Sequence, residues 1–220
     1  MKIAIMQPYF CPHVGYFQLV DAVDTFIFYD DVQYIKNGYI NRNTLKNNSK
    51  FTIPVCKKDV QSMKSINQIK IDWQNPFFRK FPKTLNALYK NSKNYNKVIS
   101  IINELFDTKP KTISDLACRS IQSFSNYLGI KTKFLKSSEI DYFKTNDRSL
   151  NLINICKSQS CSHYINAIGG QKLYDHNFFS EHGVKLNFLQ GQISNSIIDE
   201  VIDQSLKEYL VFLKTTYKLT

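Results

Sequence analysis

The sequence lacks most of the signatures by which a chain declares its chemistry. It has no Walker-type phosphate loop and no GxGxxG dinucleotide fingerprint. Its five cysteines (Cys11, Cys56, Cys118, Cys156, Cys161) are odd in number and form no CxxC pair, so neither a disulfide framework nor a zinc ribbon is legible. A reducing compartment, the cytoplasm, is the expectation. His163, His176 and His182 show no metal-ligand spacing, and no metal site is expected. No stretch reaches about 18 apolar residues, which excludes a helical membrane span. The opening apolar run stops at Gln7 and Pro8, so no signal peptide is expected. Runs of five or six Lys/Arg are absent, which weighs against nucleic acid as a partner. Acids are scarce beside bases, 18 against 29, for a net charge of +11. Such a surface favours an anionic partner: a nucleotide-linked small molecule, an acidic carrier protein or an anionic membrane face.

What is present is patterned. KIAIM (Lys2 to Met6) reads as a short buried strand, and GYFQLVDAVD places Phe17, Leu19, Val20 and Val23 at near-helical spacing. TFIFYDD is a second apolar run, ended by two acids. Strand, bend, helix and strand in that order make a βαβ unit with a right-handed crossover. VQYIKNGYINRNTLKNNSK reads as a long functional loop, and FTIPVC and INQIKI as two strands of a hairpin-like excursion. Pro76 to Gly129 is helical in pattern, with Thr112 or Ser114 placed to cap its last helix and Gly129 to stop it. Alternation then returns: KTKFLKSS (strand), RSLNLINICKSQ (helix), HYINAIGG (strand), QKLYDHNFFSEHG (short helical connection), VKLNFL (strand) and SIIDEVIDQSLKEYLVFL (closing amphipathic helix). The expected fold is α/β, a mostly parallel sheet flanked by helices and nucleotide-binding-like. It is read as one domain over residues 1–220, with a loop and hairpin excursion at about 32–71 and a mainly helical insert or lobe at about 76–129.

In an open parallel sheet, ligands bind beyond the carboxyl ends of the strands. Gln7 ends the first strand, Asp30 and Asp31 the second, and Asn166, Gly169 and Gly170 the strand in HYINAIGG. Adjacent side chains of an extended segment point to opposite sides, so one of the two aspartates is expected to face the cleft. There it would orient an amine, accept its proton or bind Mg²⁺. YINRNTL offers Arg42 as a planar fork for carboxylate or phosphate, flanked by Asn41 and Asn43, with Lys36 as a further anion contact. Gly169 and Gly170, followed by Gln171, would let a ligand approach backbone N–H groups. Cys11 and His13 suggest a nucleophile and base, but Pro12 bends the chain between them and no third orienting residue is legible.

The stretch MKIAIMQPYFCPHVGYFQLVDAVDTFIFYDDVQYIKNGYINRN resembles the opening of the WbqC-like family, and HYINAIGGQKLYD, FFSEHGVKLNF and SIIDEV resemble its second half. The resemblance runs in order along nearly the whole chain and is least clear over Pro76 to Gly129. It carries the family pattern onto Gln7, Pro8, Tyr9, Pro12, Gly15, Tyr16, Asp30, Asp31, Asn41, Arg42, Asn43, Asn166, Gly169 and Gly170. Cys11 stands where that pattern has a bulky apolar residue, and His13 where it has an aromatic one. The stretch before SNSIIDEV is shortened.

The resemblance implies work in bacterial O-antigen and surface-polysaccharide (lipopolysaccharide) biosynthesis. The implied activity is an amino-acid transferase, notably a glycine transferase, acting on the amino group of a nucleotide-linked amino sugar. A non-catalytic nucleotide-sugar binding or scaffold protein is the alternative. Strand, QPYFCPHVGYFQLVDAVD and strand also resemble the phosphate-binding bend of adenylate-forming HIGH-motif enzymes, with PHVGY here in place of HxGH. Amide formation needs an activated acyl group, so two donors stay open: an adenylate made from ATP with Mg²⁺, or an acyl-carrier-protein thioester. The expected catalytic set is Asp30, Asp31 and Gln7. Tyr9, Tyr16, Lys36, Asn41, Arg42, Asn43, Asn166, Gly169, Gly170 and Gln171 are expected to bind substrate, and His13 is a further candidate. Sugar, acyl group and oligomeric state are not legible.

Overall fold

Ile3 and Ile5 alternate with Ala4 along KIAIM, and that alternation places β1 (Lys2–Met6) at the centre of the sheet, with a buried layer on each face. The computed structural model describes residues 1–220. From β1 the chain bends into α1 (Val14–Asp21) and returns through β2 (Thr25–Phe28), parallel to β1 with Ile3 opposite Thr25. The excursion follows. Its antiparallel hairpin, β3 (Arg42–Leu45) and β4 (Ser49–Thr52), leads into the short α2 (Lys57–Gln61). Three helices come next: α3 (Phe77–Tyr89), α4 (Tyr95–Asp107) and α5 (Ile113–Tyr127). Alternation resumes through β5 (Lys133–Lys136), α6 (Arg148–Ser158), β6 (His163–Ala167), α7 (His176–Glu181) and β7 (Lys185–Gln190). The chain closes with α8 (Ile197–Asp203), α9 (Leu206–Thr215) and β8 (Lys218–Leu219).

The sheet order is β5-β2-β1-β6-β7-β8, parallel except for β8. Strands run outward from β1 through β2 to β5 on one side, and from β6 to β7 on the other. The winding therefore reverses between β1 and β6, and a crevice opens there at the carboxyl edge. Phe26 and Phe28 pack with α1 and α5 on one face, and Ile27 packs with α6 on the other. The Phe28 and Phe134 rings stack across β2 and β5 with centroids 5.4 Å apart, a pairing that adds about 0.5–1.5 kcal/mol beyond its buried area. The helical segment joins the same apolar cluster as α1: Phe81, Leu85, Val98, Ile102, Ile121 and Phe124 share it with Phe17, Leu19 and Val20.

Two expectations are corrected. FTIPVC and INQIKI do not form two regular strands; they meet antiparallel at one bridge, Val55 to Ile71, flanked by Cys56 N–H to the Lys70 carbonyl (2.8 Å) and Asp72 N–H to the Pro54 carbonyl (3.0 Å). The hairpin lies upstream, where Asn47 and Asn48 adopt left-handed backbone (φ 59° and 55°) and turn the chain between β3 and β4. The closing helix is two helices. Ser205 breaks it and starts α9 with a capping box to Glu208, and β8 adds an edge strand after it. Thr112, rather than Ser114, caps α5 by accepting from Asp115 N, and Gly129 (φ 71°) ends it.

The start of α1 is crossed by the segment after β7. Gln18 Oε1 accepts the Gln192 N–H at 2.8 Å, and Gln18 Nε2 donates to Thr216 Oγ1 at 2.8 Å. A Cβ on Gly15 would lie 2.4 Å from the Gln192 carbonyl oxygen. This glycine therefore admits protein backbone. Gly15→Ala is expected to lower unfolding stability by roughly 1–3 kcal/mol, read as a shift in urea midpoint with unchanged slope.

Candidate active site

The bend QPYFCPHVGYF is held from outside. Cys11 sits at φ 47°, a left-handed conformation rare for a residue with a side chain. Its N–H donates to Ser120 Oγ on α5 (3.0 Å), and its carbonyl accepts from Asn43 Nδ2 on β3 (2.7 Å) and from Ser196 Oγ (2.8 Å). Phe10 N–H donates to the Ile40 carbonyl (2.9 Å) and Ile197 N–H to the Pro12 carbonyl (2.7 Å). The Cys11 thiol is fully buried, and burial drives its pKa far above that of a free thiol, although Ser120 pulls the other way. The suggested Cys11–His13 couple therefore has no nucleophile.

The bend forms the floor of a cavity of about 550 Å³ at the carboxyl end of β1. Met6, Gln7, Pro8 and Tyr9 make the floor, and His13 and Tyr16 close the α1 side. Ile35, Gly38, Tyr39, Ile40, Asn43 and Thr44 make one wall; Ile193, Ser194 and Asn195 make the opposing lip. The two sides are tied together: Ser196 N–H donates to the Thr44 carbonyl (3.1 Å) and Lys46 N–H to Asp199 Oδ1 (3.0 Å). Tyr16 Oη donates to the Gln7 carbonyl at 3.0 Å and fixes the last peptide of β1. Tyr9 stands amid aromatic rings, with centroids 5.9 Å from Tyr39, 6.2 Å from His13 and 6.4 Å from Tyr16. No Asp, Glu, Lys or Arg lines the cavity. Its one imidazole is His13, whose Nδ1 is buried without a hydrogen-bond partner. Burial lowers the His13 pKa below its ordinary value, outweighing the opposing pull of the Gln192 carbonyl, so the ring is neutral at pH 7.

The WbqC-like family model matches residues 7–196, from Gln7 on the cavity floor to Ser196, which clamps Cys11. The chain belongs to the WbqC-like protein family. A relative in Mycobacterium tuberculosis, "Uncharacterized protein Rv1507c", is 28% identical over 194 residues, which cover 85% of this chain and 81% of that one. No solved structure gives a significant match.

Of the residues expected from sequence, this WbqC-like chain brings Gln7, Tyr9, His13, Tyr16 and Asn43 together at the cavity. The others lie elsewhere. Asp30 is 1% exposed; its carboxylate accepts from Ser114 Oγ (2.8 Å) and Ser138 N–H (3.1 Å), and its own N–H donates to Ser137 Oγ (3.1 Å). It fastens β2 to α5 and to the end of β5. Asp31 accepts from Lys144 Nζ (2.8 Å), Tyr142 Oη (2.7 Å) and Ser137 Oγ. Burial would raise its pKa, but Lys144, Ser137 and Tyr142 together hold it below the usual carboxylate value. Asn41 is buried between Tyr34 Oη (2.8 Å) and the Ile53 carbonyl (2.7 Å), where it braces the hairpin. Arg42 donates to Asn37 Oδ1 (2.8 Å), and Lys36 is exposed. Asn166 Oδ1 accepts the Ala167 N–H (2.8 Å), and a Cβ on Gly170 would lie 2.4 Å from Asn166 Nδ2. Gly170 is thus filled by its own strand's side chain, whereas Gly169 has open space around it and Gln171 is exposed.

Thr44, Tyr39, Ile35 and the Ile193–Asn195 lip were not anticipated. Tyr39 had a signal, an aromatic flanked by Gly38 and polar turn residues. The lip had none, because nothing local says that a segment more than 170 residues away crosses α1.

Two outcomes follow for the aspartates. Asp30→Ala leaves the buried Ser114 Oγ and the part-buried Ser138 N–H without their shared partner and is expected to cost about 2–4 kcal/mol in urea unfolding. The Asp31 pKa is depressed in the fold. Its contribution is therefore present above the unfolded value of about 3.9 and is lost as pH falls through the lower folded value. Stability measured down an acid series should fall less steeply in Asp31→Asn than in the wild type.

Proposed function

We propose that this WbqC-like protein transfers an activated aminoacyl group, glycine favoured, to the amino group of a nucleotide-linked amino sugar in surface-polysaccharide (O-antigen) biosynthesis. The observation that carries this reading is the cavity: uncharged, walled largely by tyrosines and amides, with one neutral imidazole in its lining. Tyrosine faces beside planar amides suit a sugar ring, which offers apolar C–H faces and hydroxyl edges. Tyr9 and Tyr39 supply the faces, and Gln7, Asn43 and Asn195 the hydrogen bonds. The negative nucleotide diphosphate would stay at the mouth, where Lys36 follows the lining residue Ile35.

An uncharged cavity disfavours an ammonium ion, so the amine enters as the free base. Its nitrogen lone pair attacks the acyl carbonyl and forms the C–N bond. The neutral His13 imidazole takes the proton lost by nitrogen through the part of its ring that lines the cavity, and the carbonyl re-forms as the bond to the leaving group breaks. The leaving group is AMP if the donor is an adenylate, or a thiolate if it is a carrier thioester. This moves the role of base from Asp30 and Asp31, which hold the frame, to His13. Because the family pattern has an aromatic residue at this position, the base would be particular to this chain.

The test is to incubate the protein with a 4-amino-sugar nucleotide and either glycine with ATP and Mg²⁺ or a carrier-bound glycyl thioester, and to weigh the products. A glycyl amide of the sugar is expected, and AMP release selects the adenylate route. His13→Phe should lower the rate about 100-fold while sugar-nucleotide binding persists. Full activity in that variant would remove His13 from the mechanism. Binding without amide from either donor would make the protein a nucleotide-sugar binding or scaffold component.

A further inference from the structure

Five of the ten exposed large apolar residues sit on loops that leave the carboxyl edge of the sheet. Ile35 and Tyr39 follow β2, Phe143 follows β5, Leu173 follows β6 and Ile193 follows β7. These four strands are parallel, so their following loops emerge on one side of the molecule, the side of the cavity mouth. Ile35, Tyr39 and Ile193 line the cavity, and a bound substrate accounts for them. Phe143 and Leu173 do not line it, yet they are 78% and 67% exposed. An apolar residue at a loop tip normally turns inward or is replaced by a polar one, so exposed apolar tips gathered on one face mark a surface that meets something apolar.

The neighbours of these tips give the partner's other property. One apolar tip on each of three loops is followed or preceded directly by a lysine: Ile35–Lys36, Phe143–Lys144 and Lys172–Leu173. Lys144 is half exposed and pairs with Asp31; Lys36 and Lys172 are exposed and form no ion pair. Apolar tips beside cations fit a surface that is apolar below and anionic at its face. We propose that the carboxyl edge docks on an anionic phospholipid surface, with the tips of Phe143 and Leu173 in the acyl boundary and the lysines among the lipid phosphates. No helix is long and apolar enough to cross a membrane, so the contact is peripheral. Docking in this pose turns the cavity mouth to the lipid face, where a sugar carried on a lipid phosphate would be presented to it or a finished product handed on. The proposal stands on the exposed loops and does not depend on the chemistry of the cavity.

The test is co-sedimentation of the whole protein with vesicles of phosphatidylcholine alone and of phosphatidylcholine with phosphatidylglycerol, at low and high salt. Binding is expected to the anionic vesicles only and to weaken with salt. Phe143→Ser with Leu173→Ser should weaken it about tenfold, and Lys36→Gln with Lys172→Gln by a similar factor. The serine pair should keep the wild-type circular dichroism and urea midpoint, because neither residue is packed in the core or lines the cavity. Failure to sediment with anionic vesicles overturns the proposal. So does binding that the serine pair leaves unchanged, since scattered lysines would then be carrying it. A concentration-dependent dimer in analytical ultracentrifugation that the serine pair abolishes would give the face to a second copy of the chain, and equally overturns it.

Discussion

The peptide groups of Cys11 are the point on which the site depends. Ser120 comes from α5, Asn43 from the hairpin and Ser196 from the start of α8, and all three close on the N–H and carbonyl of this one residue. Left-handed backbone at a non-glycine residue costs roughly 1–2 kcal/mol. Three hydrogen bonds at about 0.5–1.5 kcal/mol each offset that cost and hold the bend in one shape. Because the three partners lie far apart in sequence, the cavity floor, wall and lip can form only together. The floor is the bend, the wall is the segment that leads into β3 together with Asn43 and Thr44 on it, and the lip is the segment that ends at Ser196. The family match runs from Gln7 to Ser196, from the cavity floor to the last of these clamps.

The glycines make a related point about inference from residue type. Gly15 at the start of a helix and Gly170 after a strand are places where a ligand's phosphate could reach backbone N–H groups. Here the space at Gly15 is taken by the Gln192 carbonyl, and at Gly170 by the Asn166 side chain. The close approach that glycine permits is real at both sites, but the approaching group is the protein itself. The two aspartates make the same point. A carboxylate at a strand's carboxyl end is placed for chemistry, yet Asp30 is enclosed by serines 84 and 107 positions along the chain. No reading of local sequence shows that enclosure.

What the sequence did reveal is what local periodicity controls. The parallel strands, the three central helices and the Gly129 stop were legible, and the cap of the last of those helices was narrowed to Thr112 or Ser114, because alternation, 3.6-residue spacing and capping are properties of neighbours. The hairpin was misplaced because FTIPVC is rich in β-formers, whereas RNTLKNNSK is not. What selects the true pairing is the left-handed Asn47–Asn48 turn, whose only signal in the sequence is a pair of adjacent asparagines. The break before α9 also had its signal, Ser205 followed three residues later by Glu208. β8 had none, being two exposed residues recruited by an available edge on β7. At the site, the five expected residues that converge lie on the bend itself or bond directly to it. The lip was hidden because its position is set by Gln18 and Gly15, not by its own residues.

The charge distribution then separates two tasks. A net charge of +11 acts at long range and raises the concentration of anions near the surface. The cavity, by contrast, contains no charged side chain. Under the proposed reading, lysines and arginines inside the cavity would draw in the anionic part of the substrate in place of its uncharged part. Keeping the charge outside and the cavity neutral lets attraction and reaction be set independently. Under the proposed reading, the anionic part of the substrate would stay at the mouth, while its amine would enter a space that disfavours the ammonium form. Burial of His13 is thus not only a structural cost. The same desolvation that lowers its pKa keeps the ring neutral, and no cavity carboxylate stands by to reverse that effect.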